Sequence, residues 1–208
     1  MAIIDTITLE VADTAAADRF HRDAFGLDGL VRVRAAGEPT TGFRGFTLAL
    51  TVAEPATVDS FVGTALEAGA TTLKPAKKSL WGYGAVVQAP DGTIWKVATS
   101  AKKGSGAATR RIDEFVLLLG VADVAATRKF YVDQGLVVSK SFGRTYVEFA
   151  AGDGPVKLAL YRRRALAKDL GVPADGGGSH RLLISGDVGA FTDPDGFAWQ
   201  AAATTGAR

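Results

Sequence analysis

Along residues 3–11 the apolar and polar side chains separate by face: Ile3, Ile7, Leu9 and Val11 on one, Thr6, Thr8 and Glu10 on the other. A period of two belongs to a strand with one face against a core, so the polar face looks onto something wet. Directly after it the period lengthens. Asp13 stands where a helix N-cap belongs, Phe20, Ala24 and Phe25 share one side of the stretch 14–25, and Gly26 supplies the stop. The same strand-then-helix unit returns at 47–52, followed by a helix from 57 to about 68 that Gly69 ends. Strands at 30–34, 71–75, 84–88 and 93–98 complete this half, with 37–42 as a loop and 77–83 as a connection.

Two stretches fix the larger plan. Ala89-Pro90-Asp91-Gly92 leads into Trp95, and Asp193-Pro194-Asp195-Gly196 leads into Trp199. Each is a hairpin with its turn chemistry written out, Pro fixing φ and Gly supplying φ > 0. The opening strand also has an echo, since Ile4-Asp5-Thr6-Ile7 is answered by Ile112-Asp113-Glu114-Phe115, and Val11-Ala12-Asp13 by Val121-Ala122-Asp123. The repeat is the size of a domain. The expected division is a first domain at 1–103, a linker at 104–108 rich in Gly and Ala, and a second domain at 109–208. In the second half a strand (112–119), a helix (124–134), strands at 136–142, 145–150 and 156–161, and a short helix at 164–170 are expected, but nothing between Ser185 and Thr192 leaves room for a further helix. The modules are therefore trimmed in complementary ways. The halves are expected to complete one another across a shared sheet or across a homodimer.

Composition narrows the chemistry. The 208 residues are 47% hydrophobic and 22% charged with a formal net charge of +2, which describes an ordinary globular chain with no support for nucleic acid as a partner. No stretch has the roughly 18 apolar residues of a membrane span, and the first residues lack the features of a secretory leader, so a cytoplasmic location is expected. There is no Cys, and the only histidines are His21 and His180. Disulfides, thiol nucleophiles and cysteine metal sites are thereby removed. His21, mid-helix near Arg19 and Arg22, reads as a solvated side chain. Dinucleotide, phosphate-loop and nucleophile-elbow motifs are all missing.

With two strand-helix-strands units per half, the Ile-Asp-x-Ile-x-Leu opening and the Pro-Asp-Gly hairpin before the last strand, nearly the whole chain resembles the vicinal oxygen chelate superfamily, which includes glyoxalase I, extradiol dioxygenases and bleomycin-resistance proteins. The resemblance implies an α+β fold of tandem βαβββ modules, sheets curled about a cavity and helices outside. It also implies three places for metal ligands: the residue after Ile-Asp, the start of the strand opening the second module, and a residue three or four past the Pro-Asp-Gly glycine. The first half has Thr6, Thr47 and Lys96 there, where His, His and Glu are usual, and neither a hydroxyl nor an ammonium suits a divalent cation. No metal is expected in that half. In the second half the places hold Glu114, His180 and Gln200, a weak candidate set for one divalent ion. The competing reading makes His180 a rim residue after a glycine run.

Other candidates come from side-chain chemistry. Trp81 and Tyr83 flank Gly82, with Gly84 following, and would suit stacking on a flat ligand at a cavity mouth, or simply packing over a helix. Arg34 and Arg44, with Arg32, fall where they could neutralise an anion, or stand as surface arginines. The functional expectation is a protein that binds a small aromatic or anionic molecule without a cofactor. The alternative is a lyase, isomerase or dioxygenase with Glu114 as base and His180 beside it, with or without metal.

Overall fold

The computed structural model describes residues 2–27, 29–104, 106–177 and 181–202. In chain order the elements are β1 (Ile4–Val11), α1 (Thr14–Phe25), β2 (Val31–Ala35), β3 (Phe46–Thr51), α2 (Pro55–Glu67), β4 (Thr71–Ser79), β5 (Gly82–Gln88), β6 (Ile94–Thr99), β7 (Glu114–Val121), α3 (Val124–Asp133), β8 (Val138–Phe142), β9 (Tyr146–Phe149), β10 (Val156–Arg162), α4 (Arg163–Leu170), β11 (Leu182–Gly186), β12 (Phe191–Thr192) and β13 (Ala198–Ala201). This is the α+β class expected. None of the helices is long and apolar enough to cross a membrane, among the described residues.

Local rules act where the sequence places them. Asp13 caps α1 by accepting from the Ala16 amide at 2.9 Å, Asp123 does the same for α3 at the Ala125 amide, and Gly92 and Gly196 take φ of 86° and 87° in the two Pro-Asp-Gly turns. One boundary moves. Residues 77–79 extend β4 instead of forming a connection, and the chain reverses tightly at Leu80 and Trp81. Gly82 makes that reversal work, because at φ 135° a Cβ would sit 1.9 Å from the Thr99 carbonyl oxygen.

The strands form one sheet in the order β12-β13-β11-β1-β10-β7-β3-β6-β5-β4, with β2 beside β1 and the β8–β9 hairpin beside β10. Pairing runs across the halves. β3 lies antiparallel to β7 from Phe46↔Leu119 to Thr51↔Glu114, while β1 lies antiparallel to β11, with Thr6 opposite Ser185. The second and third modules thus build an eight-stranded unit, β4-β5-β6-β3-β7-β10-β9-β8, and the trimmed first and fourth build β2-β1-β11-β13-β12. The two units join at a single pair, Ile4↔Val156. The shared-sheet alternative is the one the chain adopts.

Alternation divides the sheet into two faces. Phe46, Leu48 and Leu50 of β3, Trp95 and Val97 of β6 and Phe115, Leu117 and Leu119 of β7 join the buried residues of α1, α2 and α3 in one large core. The intervening residues face the other way, hereafter the inner face. There a second, small core forms, in which Leu166, Ala167 and Leu170 of α4 pack on Phe43, Val86 and Ile94. Three helices cover the outside and the fourth lies within.

Candidate functional site

The places that the resemblance assigns to metal ligands are regrouped by the exchange of modules. Thr47 and Lys96 sit on adjacent strands of the inner face of the eight-stranded unit, together with Glu114, whereas Thr6 and Gln200 belong to the smaller unit. On that inner face α4 fills the space over the sheet, and its Asp169 Oδ2 meets Lys96 Nζ at 2.5 Å. Lys74 Nζ donates to the Lys168 and Asp169 carbonyls at 2.9 and 2.5 Å, a cation at the negative end of the helix. Thr47 is wholly buried and its hydroxyl donates to the Ile94 carbonyl at 2.7 Å. An ammonium already neutralised and a hydroxyl already bonded do not fit a divalent cation.

Beyond α4 the inner face carries a second polar group that sequence reasoning did not single out. Lys157 Nζ lies between Glu114, its hydrogen-bond partner, and Glu148 at 3.2 Å, and the Tyr146 hydroxyl donates to Glu148 Oε2 at 3.0 Å. Burial and the Glu148 charge push the Tyr146 phenol well up. Burial also works to raise Glu148, but the bonds from Tyr146 and Lys157 outweigh it and hold the carboxyl low. The cluster is a compensated network. Its only forewarning was the alternation of 146 with 148 and of 157 with 159.

Two of the second-half candidates lie in different units of the sheet. Glu114 is engaged by Lys157 on β7, while Gln200 on β13 donates to Ser185 Oγ at 2.8 Å, four strand positions away along the sheet. His180 lies outside the described residues. Among the described residues no group of three His, Cys, Asp or Glu side chains is placed to hold a metal ion.

The four candidate ligand-binding residues divide between two places. Trp81 and Tyr83 line a groove of about 240 Å³ at the end of the inner face, with Lys77, Lys96 and Asp169 also in its walls. Trp81 is 84% exposed at the β4–β5 reversal. Tyr83 turns its hydroxyl away to Asp59 Oδ1 of α2 at 2.7 Å, a bond that raises its pKa together with partial burial. Arg44 instead lines a cleft of about 630 Å³ between the start of α1, the loop 36–40 and the first Pro-Asp-Gly turn. It is no surface arginine. Only 8% exposed, it donates from Nε to Thr40 Oγ1 at 3.2 Å and from Nη2 to the Asp91 carbonyl, and desolvation lowers its pKa. Arg34 binds Glu10 Oε1 at 2.6 Å, and Arg181 takes the other oxygen at 3.1 Å. These two bonds overcome the effect of burial and depress the Glu10 carboxyl.

His21 corrects the sequence reading. It is 3% exposed, bonded through Nε2 to Asp91 Oδ2 at 3.1 Å, and packed at a tilt of 45° against Trp95 with ring centroids 5.6 Å apart. The signal was present. Position 21 lies four after Ala17 and four before Phe25, on the buried stripe of α1.

Comparison with known proteins gives fold but no close relative. No family model matches the sequence, and no curated protein matches it. Glyoxalase I from Zea mays superposes with a TM-score of 0.64 at 13% identity, over 97% of this chain and 92% of that one. Its V278E mutant gives 0.62 at 14%, with the same coverage. A candidate dioxygenase from Bacillus subtilis subsp. subtilis str. 168 gives 0.54 at 13%, over 93% of this chain and 71% of that one. At such identities the likeness is one of architecture, and the chain shares the fold of glyoxalase I, built of βαβββ-type modules.

Proposed function

We propose that the protein binds a small, flat, anionic molecule in the groove beneath Trp81, without a divalent metal. The observation that carries this reading is Trp81 itself, an indole 84% exposed at a tight reversal whose groove also contains Lys77, besides the Lys96–Asp169 pair. A large ring presented to solvent is poor packing and a good stacking surface, and an ammonium beside it supplies the complement for a carboxylate or phosphate. The places that would serve metal catalysis are otherwise engaged. Lys96 pairs with Asp169, Thr47 bonds backbone, and Glu114 pairs with Lys157.

A thermal-shift and tryptophan-fluorescence screen of aromatic carboxylates and phosphates tests this, run beside turnover assays with methylglyoxal–glutathione and catechol. The expected result is stabilisation without turnover. Trp81→Ala should abolish the ligand-induced shift while changing unliganded stability by less than about 0.5 kcal/mol, the range of an exposed substitution. A loss of roughly 3–5 kcal/mol would mark Trp81 as core packing. Turnover abolished by Glu114→Gln would replace binding with catalysis.

A further inference from the structure

Buried polar atoms without a partner are concentrated at one corner of the molecule. His21 Nδ1, Arg44 Nη1 and Trp95 Nε1 all belong to the first Pro-Asp-Gly corner. Native cores satisfy nearly all such groups, and a guanidinium nitrogen is among the most expensive to leave unbonded. This corner forms one wall of the 630 Å³ cleft, to which Arg44 and Asp91 both contribute. That volume lies in the range of small-molecule sites.

The charges around the cleft sort into those already matched and those left over. Glu10 is held by Arg34 and Arg181, Asp91 by His21 and the Thr93 amide, and one oxygen of Asp13 by the Ala16 amide. What remains is Arg44 in the floor, with an unbonded Nη1 and its charge offset in part by Asp91, and the exposed carboxylates of Glu38 and Asp13 at the rim. The lining also includes the apolar side chains of Phe20, Ala17 and Pro90. A cation at depth, carboxylates at the mouth and an aromatic side chain in the wall are complementary to a molecule that is itself bipolar.

We propose that this cleft is a second binding site, separate from the Trp81 groove, for a small zwitterion of the amino-acid type. The ligand carboxylate meets the guanidinium of Arg44, its ammonium faces Glu38, and its side chain lies against Phe20. Nη1 has no solvent contact, so entry requires the segment 36–40 to shift while Thr41 and Gly42 stay bonded to 176–177. The loop's hold on the arginine is a single bond, Thr40 Oγ1 at 3.2 Å, which a carboxylate oxygen would replace with a stronger, charge-assisted one.

Calorimetric titration of the full chain decides it, with L-phenylalanine and L-leucine as zwitterions and 3-phenylpropionate, 2-phenylethylamine and inorganic phosphate as one-charge controls. The expected result is binding of the amino acids, weaker binding of phenylpropionate, and none of the amine or phosphate. Glu38→Gln, on the surface, should weaken phenylalanine about threefold, the scale of an exposed ion pair. Arg44→Lys, checked for folding by circular dichroism, should weaken it on the order of tenfold or more, because the fork of donors is lost. Trp81→Ala should leave the affinity unchanged, which keeps this site's failure distinct from that of the groove. The proposal is overturned if neither amino acid binds the folded wild type, if phosphate or phenylpropionate binds as tightly as phenylalanine, or if Glu38→Gln has no effect.

Discussion

The two Pro-Asp-Gly corners come from matching stretches of sequence, yet their polar groups are finished differently. At the second corner Asp193 accepts the Asp195 and Phe197 amides at 2.9 and 2.8 Å and the Tyr131 hydroxyl at 2.7 Å, and Tyr131 in turn accepts Trp199 Nε1 at 3.1 Å. Every polar group there has a partner. At the first corner His21 occupies the position of Tyr131 and Trp95 that of Trp199, but His21 bonds only Asp91, and the Trp95 nitrogen bonds nothing. The aromatic packing is comparable, with Trp95 stacked on Phe25 at 4.2 Å and Trp199 on Phe191 at 5.1 Å. Shape is therefore kept while hydrogen bonding is not. The second corner is fully bonded, whereas the first has unmatched buried groups beside a cleft.

The sharpest way to break this comparison is Tyr131→Phe. Removing the hydroxyl keeps the ring but strands the Asp193 carboxylate and the Trp199 N–H in a buried site, so a loss of about 1–3 kcal/mol is expected in urea unfolding. A change below about 0.5 kcal/mol would mean that the second corner's network adds nothing beyond packing. The counterpart at the first corner is Thr93→Val. Its hydroxyl helps to hold the Asp91 carboxyl low, so replacing it with a methyl of similar volume should cost about 0.5–1.5 kcal/mol. A neutral or stabilising outcome would place the Thr93 hydroxyl with the unmatched groups of that corner.

The sequence carried the parts of this account that depend on neighbours in the chain. β1, the caps at Asp13 and Asp123 and both turns follow from alternation, capping chemistry and the φ demanded at glycine, all of which act over a few residues. The exchange of modules was legible only as an alternative, because nothing local tells Thr6 that its neighbour is Ser185. Site residues fared worse for the same reason. Lys96 and Asp169 meet across 73 positions, and Arg44 reaches the Asp91 carbonyl across 47, so their burial and pairing leave no trace in local pattern. His21 is the exception, since the helical stripe through Ala17 and Phe25 marked it as buried and only its polarity argued otherwise.

The smallest effect is also the most specific, because the two corners should respond to pH with opposite sign. Burial works to raise the Asp91 carboxyl, but the His21 bond and charge and the Thr93 amide and hydroxyl outweigh it, and the folded value lies below the ordinary one. Asp193 is buried too; Tyr131 and the Phe197 amide offset that only in part, the Asp195 charge adds to it, and the folded value lies above the ordinary one. A depressed carboxyl contributes stability that is present above its unfolded pKa of about 3.9 and is lost as pH falls through the folded value. A raised one does the reverse, stabilising most when protonated and losing that contribution as pH rises from about 3.9 through the folded value. Asp91→Asn should therefore flatten the acid side of the stability profile, and Asp193→Asn should remove a decline on the rising side. Unfolding measured at steps between about pH 3 and about pH 7 separates the two. If both substitutions change the profile in the same direction, the corners share one electrostatic design, and the difference between them is confined to neutral hydrogen bonds.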